Sequence, residues 1–308
     1  MKWRGQTIVD IDRDFLDTAG ATRSTRACIQ SPKVEDSPLL RPLHSVVEAF
    51  FPSKEEGAGA VFQHTGSLVQ TASSWLVRAV ENAWQKLMAD LACCGQRGLS
   101  ERFDGSIGAG TVLFPLGGRY QSTPEAGMAA KIPVLDGETS TVSLMSYGYD
   151  PRVAQWSPWH GGQIAVLSSL ARIAAMGGNP ASCRLSFQEY FERMEAADSW
   201  GKPAAALLGA LEAQRICGTA AIGGKDSMSG SFQELKVPPT LVSFAVTTEK
   251  NENIISPEFK KAGNKVYLIK PEFDDNGLPV TESLIAVFAP TVFAFFNGGN
   301  VFFLCFIV

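Results

Sequence analysis

The chain has 308 residues, 45% hydrophobic and 19% charged, which suits a globular protein of one large or two modest domains at about 100–200 residues each. A formal net charge of -4, a pI near 5.5 and the lack of any Lys/Arg-rich run argue against a nucleic-acid partner. The six cysteines (Cys28, Cys93, Cys94, Cys183, Cys217 and Cys305) show no CxxC or Cys/His metal spacing, and the N-terminal MKWRGQTIVDIDRDF has no apolar signal core, so free thiols in a reducing cytoplasm are expected.

Residues 1 to 95 read as a linker. SPKVEDSPLLRPL carries three prolines and EEGAGAVFQHTGS is loop-like. One helix is predicted over Ser73 to Cys94, from the spacing of Trp75, Val80, Trp84, Leu87 and Leu91. After Gly98 short strands alternate with glycine turns: GTVLF, AAKIPVL and TVSLMSY. SPWHGGQIAVLSSLARIAAMGG reads as a helix with Ile164, Leu167, Leu170 or Ala171, and Ile173 or Ala174 on one face, stopped by Gly177 and Gly178. CRLSFQEYF is a predicted strand. GKPAAALLGALEAQRICG is a second helix, with Pro203 at its start and Gly218 at its end. TAAIGG, PPTLVSFAVTTEK and GNKVYLIKPE complete the strands. Strands and helices interleave, which is an α/β pattern.

The stretch AIGGKDSMSG, from Ala221 to Gly230, carries the most chemistry. Glycines let backbone approach an anion, Lys225 supplies a point charge for phosphate, and Asp226 offers the hard oxygen that Mg²⁺ prefers. Ser227 and Ser229 could serve either partner. The order is not that of a P-loop. The same residue types also make an ordinary solvated turn. Asp136 and Glu138, flanking Gly137 in IPVLDGETSTVS, could form a second metal position or a plain polar turn. Ser168 and Arg172 lie four apart on one helix face, a poor metal pair. His160 reads as a packed or capping residue, and His44 and His64 are assigned no role.

Taken together, GGKDSMSG with VPPTLVSFAVTTEK, RFDGSIGAGTVLFPLGGRYQSTP, IPVLDGETSTVSLMSYGYDP, SFQEYFERM, SWGKPAAALLGALEAQ and GNKVYLIKPEFDDNGLP resemble phosphoribosylformylglycinamidine synthase in its large form. The resemblance runs from Met1 to about Leu284. It implies an aminoimidazole ribonucleotide synthetase-like fold of the α/β (α+β) class, a mixed β-sheet with packed helices, and a ligase of purine synthesis, which turns formylglycinamide ribonucleotide, ATP and glutamine into the amidine. It further implies an internal fragment: a linker (1–95), the N-terminal subdomain of the second half (96–250) and the start of the next subdomain (251–284). The first half and the glutaminase are missing, so the isolated chain is expected to be inactive.

The resemblance also implies a bound nucleotide, ATP or ADP, with Mg²⁺. Gly224, Lys225, Asp226, Ser227 and Ser229 would hold the nucleotide. Asp226 and Asp136 would hold the metal. The family's Glu and Asn metal ligands fall at Ser168 and Arg172, where a guanidinium could contact phosphate instead. The expected partners are nucleotide and the remaining synthase domains or subunits, with no nucleic acid and no membrane. Other readings are a non-catalytic nucleotide-binding scaffold, or another ATP-user of the superfamily. The apolar stretch 285–308 departs from the family, and an aberrant reading frame is expected there ahead of a membrane anchor.

Overall fold

The computed structural model describes residues 1–12, 24–39, scattered positions from 78 to 106, the unbroken run 108–258, and a few positions beyond, among them 265–267 and 301–303. Its centre is a six-stranded sheet. In chain order the strands are β1 (Thr111–Leu113), β2 (Met128–Lys131), β3 (Thr141–Gly148), β4 (Arg184–Tyr190), β5 (Ala220–Lys225) and β6 (Thr240–Lys250). Their order across the sheet is β1-β2-β3-β6-β4-β5. Every neighbouring pair is antiparallel except β4 and β5, which are parallel. Three helices accompany it: α1 (Pro151–Trp156), α2 (Pro158–Ala175) and α3 (Ala197–Cys217). The expected α/β class, a mixed sheet with packed helices, is what forms.

Alternation along the strands decides which face the helices cover. In β3, Val142, Leu144 and Ser146 are buried, whereas Met145 and Tyr147 are exposed. In β6, Leu241, Ser243, Ala245 and Thr247 are buried and Val246 is exposed. The buried set meets α2, which packs on β3 and β6 and, on its other side, on α3. Gly162 permits that helix contact, because a Cβ there would stand 2.2 Å from the Ala206 carbonyl oxygen. The core is completed by Val166, Leu167, Ile173, Leu185, Phe187 and Phe191.

Local signals explain most boundaries. Ser157 caps α2 by accepting from the His160 N–H, and Pro158 stands at its first position, where no N–H is needed. In AAKIPVL the strand ends at Lys131, with one further bond from Ile132 N–H to Thr141 O before Pro133, which lacks a donor for the ladder. α1 has a signal that pattern reading passed over: Asp150 accepts from Arg152 N–H and Val153 N–H, with Pro151 next.

α3 corrects an expectation. It begins at Ala197, so Pro203 lies inside it and not at its start. The first turn is secured by Ser199, whose hydroxyl oxygen accepts from Glu195 N–H and Ala196 N–H.

Within the predicted Ser73–Cys94 helix the described residues, including Arg78, Trp84 and Met88, are helical, while Trp75, Val80, Leu87 and Leu91 lie outside the described residues. Lys265–Tyr267 pairs in parallel with Val301–Phe303; the rest of the 285–308 stretch lies outside the described residues. Among the described residues no helix is long and apolar enough to cross a membrane.

Candidate functional site

Strand directions give the sheet two distinct ends. At one, β3, β4 and β5 finish and β6 begins; this is the carboxyl end of the parallel pair. Both α2 and α3 start on this side, as each follows such a strand. In open α/β sheets, ligands bind outside the carboxyl ends of parallel strands, where helix N-termini favour negative charge.

The stretch GGKDSMSG reaches this end, and it is not a free turn. Gly223, Gly224 and Lys225 belong to β5 itself. Lys225 is paired with Gln188, whose side-chain amide donates to the Lys225 carbonyl oxygen at 3.3 Å. Pairing then continues past the strand. Ser227 N–H donates to Glu189 O at 3.1 Å, Phe191 N–H to Ser227 O at 2.8 Å, and Gly230 N–H to Phe191 O at 2.8 Å. Gly224 makes this close fit possible, since a Cβ there would lie 2.3 Å from the Phe187 carbonyl oxygen. Asp226 and Ser229 are exposed, and the hydroxyls of Ser227 and Ser229 are 2.9 Å apart.

Two carboxylates from β4 flank this segment. Glu189 is only 8% exposed. Burial pushes its carboxyl above the usual range, and the neighbouring charge of Asp226 adds to the shift. Glu192, 3% exposed, pairs with Lys202 of α3 and, at 2.6 Å, with Lys236. Burial alone would raise its pKa; the two ammonium groups outweigh that and hold it low. Lys236 belongs to the hairpin Ser231–Phe232/Leu235–Lys236, which directly follows Gly230. Glu192 therefore clamps the far side of the segment to α3.

At the start of α2, His160 is buried between neighbours. Its ring lies 4.9 Å from Trp156 and 4.7 Å from Trp159, and Nδ1 is 2.7 Å from Ser157 Oγ. Burial lowers its pKa to about 4, so the ring is neutral near pH 7.

The other candidates fall elsewhere. Asp136 lies beyond the end of β2, in the bend that leads to β3. That is the opposite end of the sheet from Asp226. The two are also separated laterally by four strand spacings, about 19 Å. One cation therefore does not fit the pair Asp136 and Asp226. Arg172 sets its guanidinium over the Tyr147 ring of β3, 4.4 Å from the centroid. Tyr147 stands three strands from β5, about 14 Å. Ser168 is half-buried on α2. The structure thus brings Gly224, Lys225, Asp226, Ser227 and Ser229 together with Glu189 and Glu192. Arg172 and Asp136 stand apart from that group. Sequence reading passed over both glutamates. Their one signal was the spacing of Glu189 and Glu192 beside the apolar Phe187 and Phe191 in SFQEYFERM. Among the described residues there is no group of three or more His, Cys, Asp or Glu placed to hold a metal ion.

No protein-family profile matches the chain. Curated relatives do. The chain is 22% identical over 206 residues to phosphoribosylformylglycinamidine synthase subunit PurL of Staphylococcus carnosus, a match covering 67% of this chain and 26% of that protein. PurL of Staphylococcus aureus strain JH9 matches with the same identity and coverage. The chain thus spans about a quarter of the length of the curated relatives it matches. Among solved structures, Thermotoga maritima PurL complexed with ATP aligns with a TM-score of 0.48 and 16% identity, covering 67% of this chain and 30% of that one.

Proposed function

We propose that this chain is a piece of a phosphoribosylformylglycinamidine synthase of the large form, and that it holds an adenine nucleotide with Mg²⁺ at the carboxyl ends of β4 and β5. The whole enzyme would be a carbon–nitrogen ligase of the cytoplasm that uses ATP and glutamine. The observation that carries the reading is the segment 225–230. It presents Lys225, Asp226, Ser227 and Ser229 on a backbone held by β4, at the carboxyl end of the parallel β4–β5 pair, the position ligands take in open α/β sheets. The similarity to PurL subunits supports the same reading. Bound Mg²⁺ would neutralise phosphate charge. Asp226 would supply an anionic ligand, and the serine hydroxyls would position phosphate or its water. Domain limits at 96 and 250 belong to this proposal, with the preceding residues as linker.

The open face of the sheet supports a partner. Met145, Tyr147, Tyr190 and Val246 are each between 38% and 47% exposed there. A face this apolar is suited to cover by another folded unit. In the proposed reading the remaining synthase domains would cover it, and the isolated chain would have no synthase activity.

The test is calorimetry of the chain with ADP and Mg²⁺, for the natural sequence and for Asp226→Asn. Mg²⁺-dependent binding that Asp226→Asn weakens about tenfold or more supports the reading, through loss of an anionic ligand. Equal affinity in the two proteins overturns the assignment of the loop. Amidine formation by the isolated chain, given ATP and ammonium, would refute its incompleteness.

A further inference from the structure

We propose that residues 24–39 form a docked strap that latches the carboxyl end of the sheet: seated on α1 and α3, the strap holds the first two turns of α3 where Lys202 reaches Glu192. The latch concerns the backbone alone, and it stands or falls without nucleotide.

The stretch is proline-containing and irregular, yet it is built onto the helices at three points. Cys28 N–H donates to Ala197 O, the first residue of α3, at 2.9 Å. The Trp156 indole N–H, at the end of α1, donates to Lys33 O at 2.7 Å. Ser37 is fully buried, after a single 3-10 turn over Val34–Asp36, and its N–H donates to Val34 O at 3.0 Å. Pro32, Val34, Pro38 and Leu39 are half-buried, while the charged Lys33, Glu35 and Asp36 stay exposed. That division of apolar and charged residues marks a seated segment.

α3 is shaped to receive it. Gly201 is buried in that helix, where glycine is a poorer helix former than alanine. A Cβ at 201 would overlap the Cys28 carbonyl oxygen, so the strap occupies the space an alanine would fill. On the same turn, a hydrogen bond to Asp198 and the charge of that carboxylate hold the Cys28 thiol above its ordinary pKa. The other anchor, Trp156, stands just before Ser157, the cap of α2, and its ring lies 4.9 Å from His160. The strap therefore ties the start of α3 to the start of α2. From Gly201 the contacts run on to the loop. Lys202 comes next and pairs with the buried Glu192, which also takes Lys236 at 2.6 Å. Val237 N–H then donates to Gly230 O at 2.9 Å. Departure of the strap would free the first turns of α3 and slacken the clamp on 225–237. Such coupling is reciprocal, so opening the clamp should loosen the strap.

The experiment is amide hydrogen exchange of the full chain, read peptide by peptide by mass spectrometry, with iodoacetamide alkylation of Cys28 followed in the same digests. Gly201→Ala favours the helix and obstructs the strap. Trp156→Phe keeps an aromatic ring and removes the donor to Lys33 O, and it carries the test should Gly201→Ala fail to fold. In both variants exchange across 24–39 should rise about tenfold or more. Cys28 should be alkylated at pH 8 about threefold faster or more, since a thiol released from Asp198 ionises more readily. Exchange across 225–237 should rise with them. Glu192→Gln, which cuts the path from the other end, should raise exchange across 24–39. Strap peptides that exchange alike in the natural protein and both variants overturn the docking. A released strap with 225–237 unchanged overturns the latch, as does Glu192→Gln that speeds 225–237 and leaves 24–39 as protected as before.

Discussion

At one end of the sheet, the segment 132–140 joins β2 to β3. Val134 and Leu135 there are exposed, Leu135 fully at 102%, and Asp136, Gly137 and Glu138 are exposed beside them. At the other end, the segment 226–230 follows β5 and keeps bonding to β4 through Ser227 and Gly230. The two segments share a vocabulary of Asp, Ser or Thr, and Gly. What separates them is backbone pairing and the company of buried polar groups. The carboxyl end gathers Ser157, His160, Glu189 and Glu192, all under 9% exposed. The segment 132–140 is bonded only near its ends: Ile132 N–H donates to Thr141 O at its start, and at its close Thr141 N–H donates to Thr139 Oγ1 and Asn251 N–H to Ser140 O. Similar residues are held in a fixed arrangement beside buried polar groups where the fold pairs their backbone, and form an exposed turn where it does not.

The largest difference between the ends should appear with pH. His160 has a pKa of about 4 in the fold, against about 6.5 when exposed. Its neutral form is favoured by the native state, so its contribution is full above pH 6.5. It is lost as pH falls from 6.5 towards 4, where unfolded chains bind a proton that folded ones do not. The loss amounts to about 3 kcal/mol. Glu189, pushed up, works with the opposite sign and gains stability as pH falls through its raised pKa. Urea unfolding of the natural protein and of His160→Gln at pH 7 and pH 4.5 separates the two. The variant should be less stable at pH 7, and the gap should shrink by about 2 kcal/mol or more at pH 4.5. A gap that does not change with pH would show that the His160 ring does not titrate with folding.

A glycine at each end sharpens the contrast. Ala at position 224 would put its Cβ 2.3 Å from the Phe187 carbonyl oxygen, and backbone must move. Ala at position 137 meets nothing within 4 Å, and its only cost is the backbone at φ +78°. We expect Gly224→Ala to cost about 2 kcal/mol through forced displacement of β5, and Gly137→Ala about 1 kcal/mol from the left-handed backbone. Denaturant midpoints for the two variants test this order. Gly224→Ala should also weaken ADP, and Gly137→Ala should not.

Much of the fold was legible because its signals are local. Ser157-Pro158 starts α2, Gly177-Gly178 ends it, and the alternation in TLVSFAVTTEK states which residues of β6 face the helices. The loop 225–230 was legible in composition only. Its conformation depends on bonds to β4, which lies more than 30 residues earlier, and no local pattern encodes them. For the same reason Asp136 and Asp226 looked like partners: sequence shows that each follows a strand, but strand direction decides that they lie at opposite ends. Arg172 was a phosphate candidate until Tyr147 was seen beneath it, and that stacking joins α2 to β3 by tertiary packing alone. Glu189 escaped notice because a single carboxylate in a strand reads as solvated. It becomes informative only once its burial is known.

The smallest expected effect is also the one that most directly divides the two ends. Asp136→Asn with Glu138→Gln neutralises both acids of the exposed segment. Their charges reach water freely, and the nearest carboxylates of the other end are more than a Debye length away, about 8 Å at physiological salt. Stability should therefore change by no more than about 0.5 kcal/mol. ADP and Mg²⁺ affinities should match those of the natural protein within about twofold. The measurement is a parallel calorimetric titration of the double variant and of Asp226→Asn. If the double variant loses metal or nucleotide binding while its unfolding midpoint is unchanged, then Asp136 or Glu138 reaches the ligand by a route the sheet does not provide. The carboxyl-end site would then have to be rebuilt around the loop between β2 and β3.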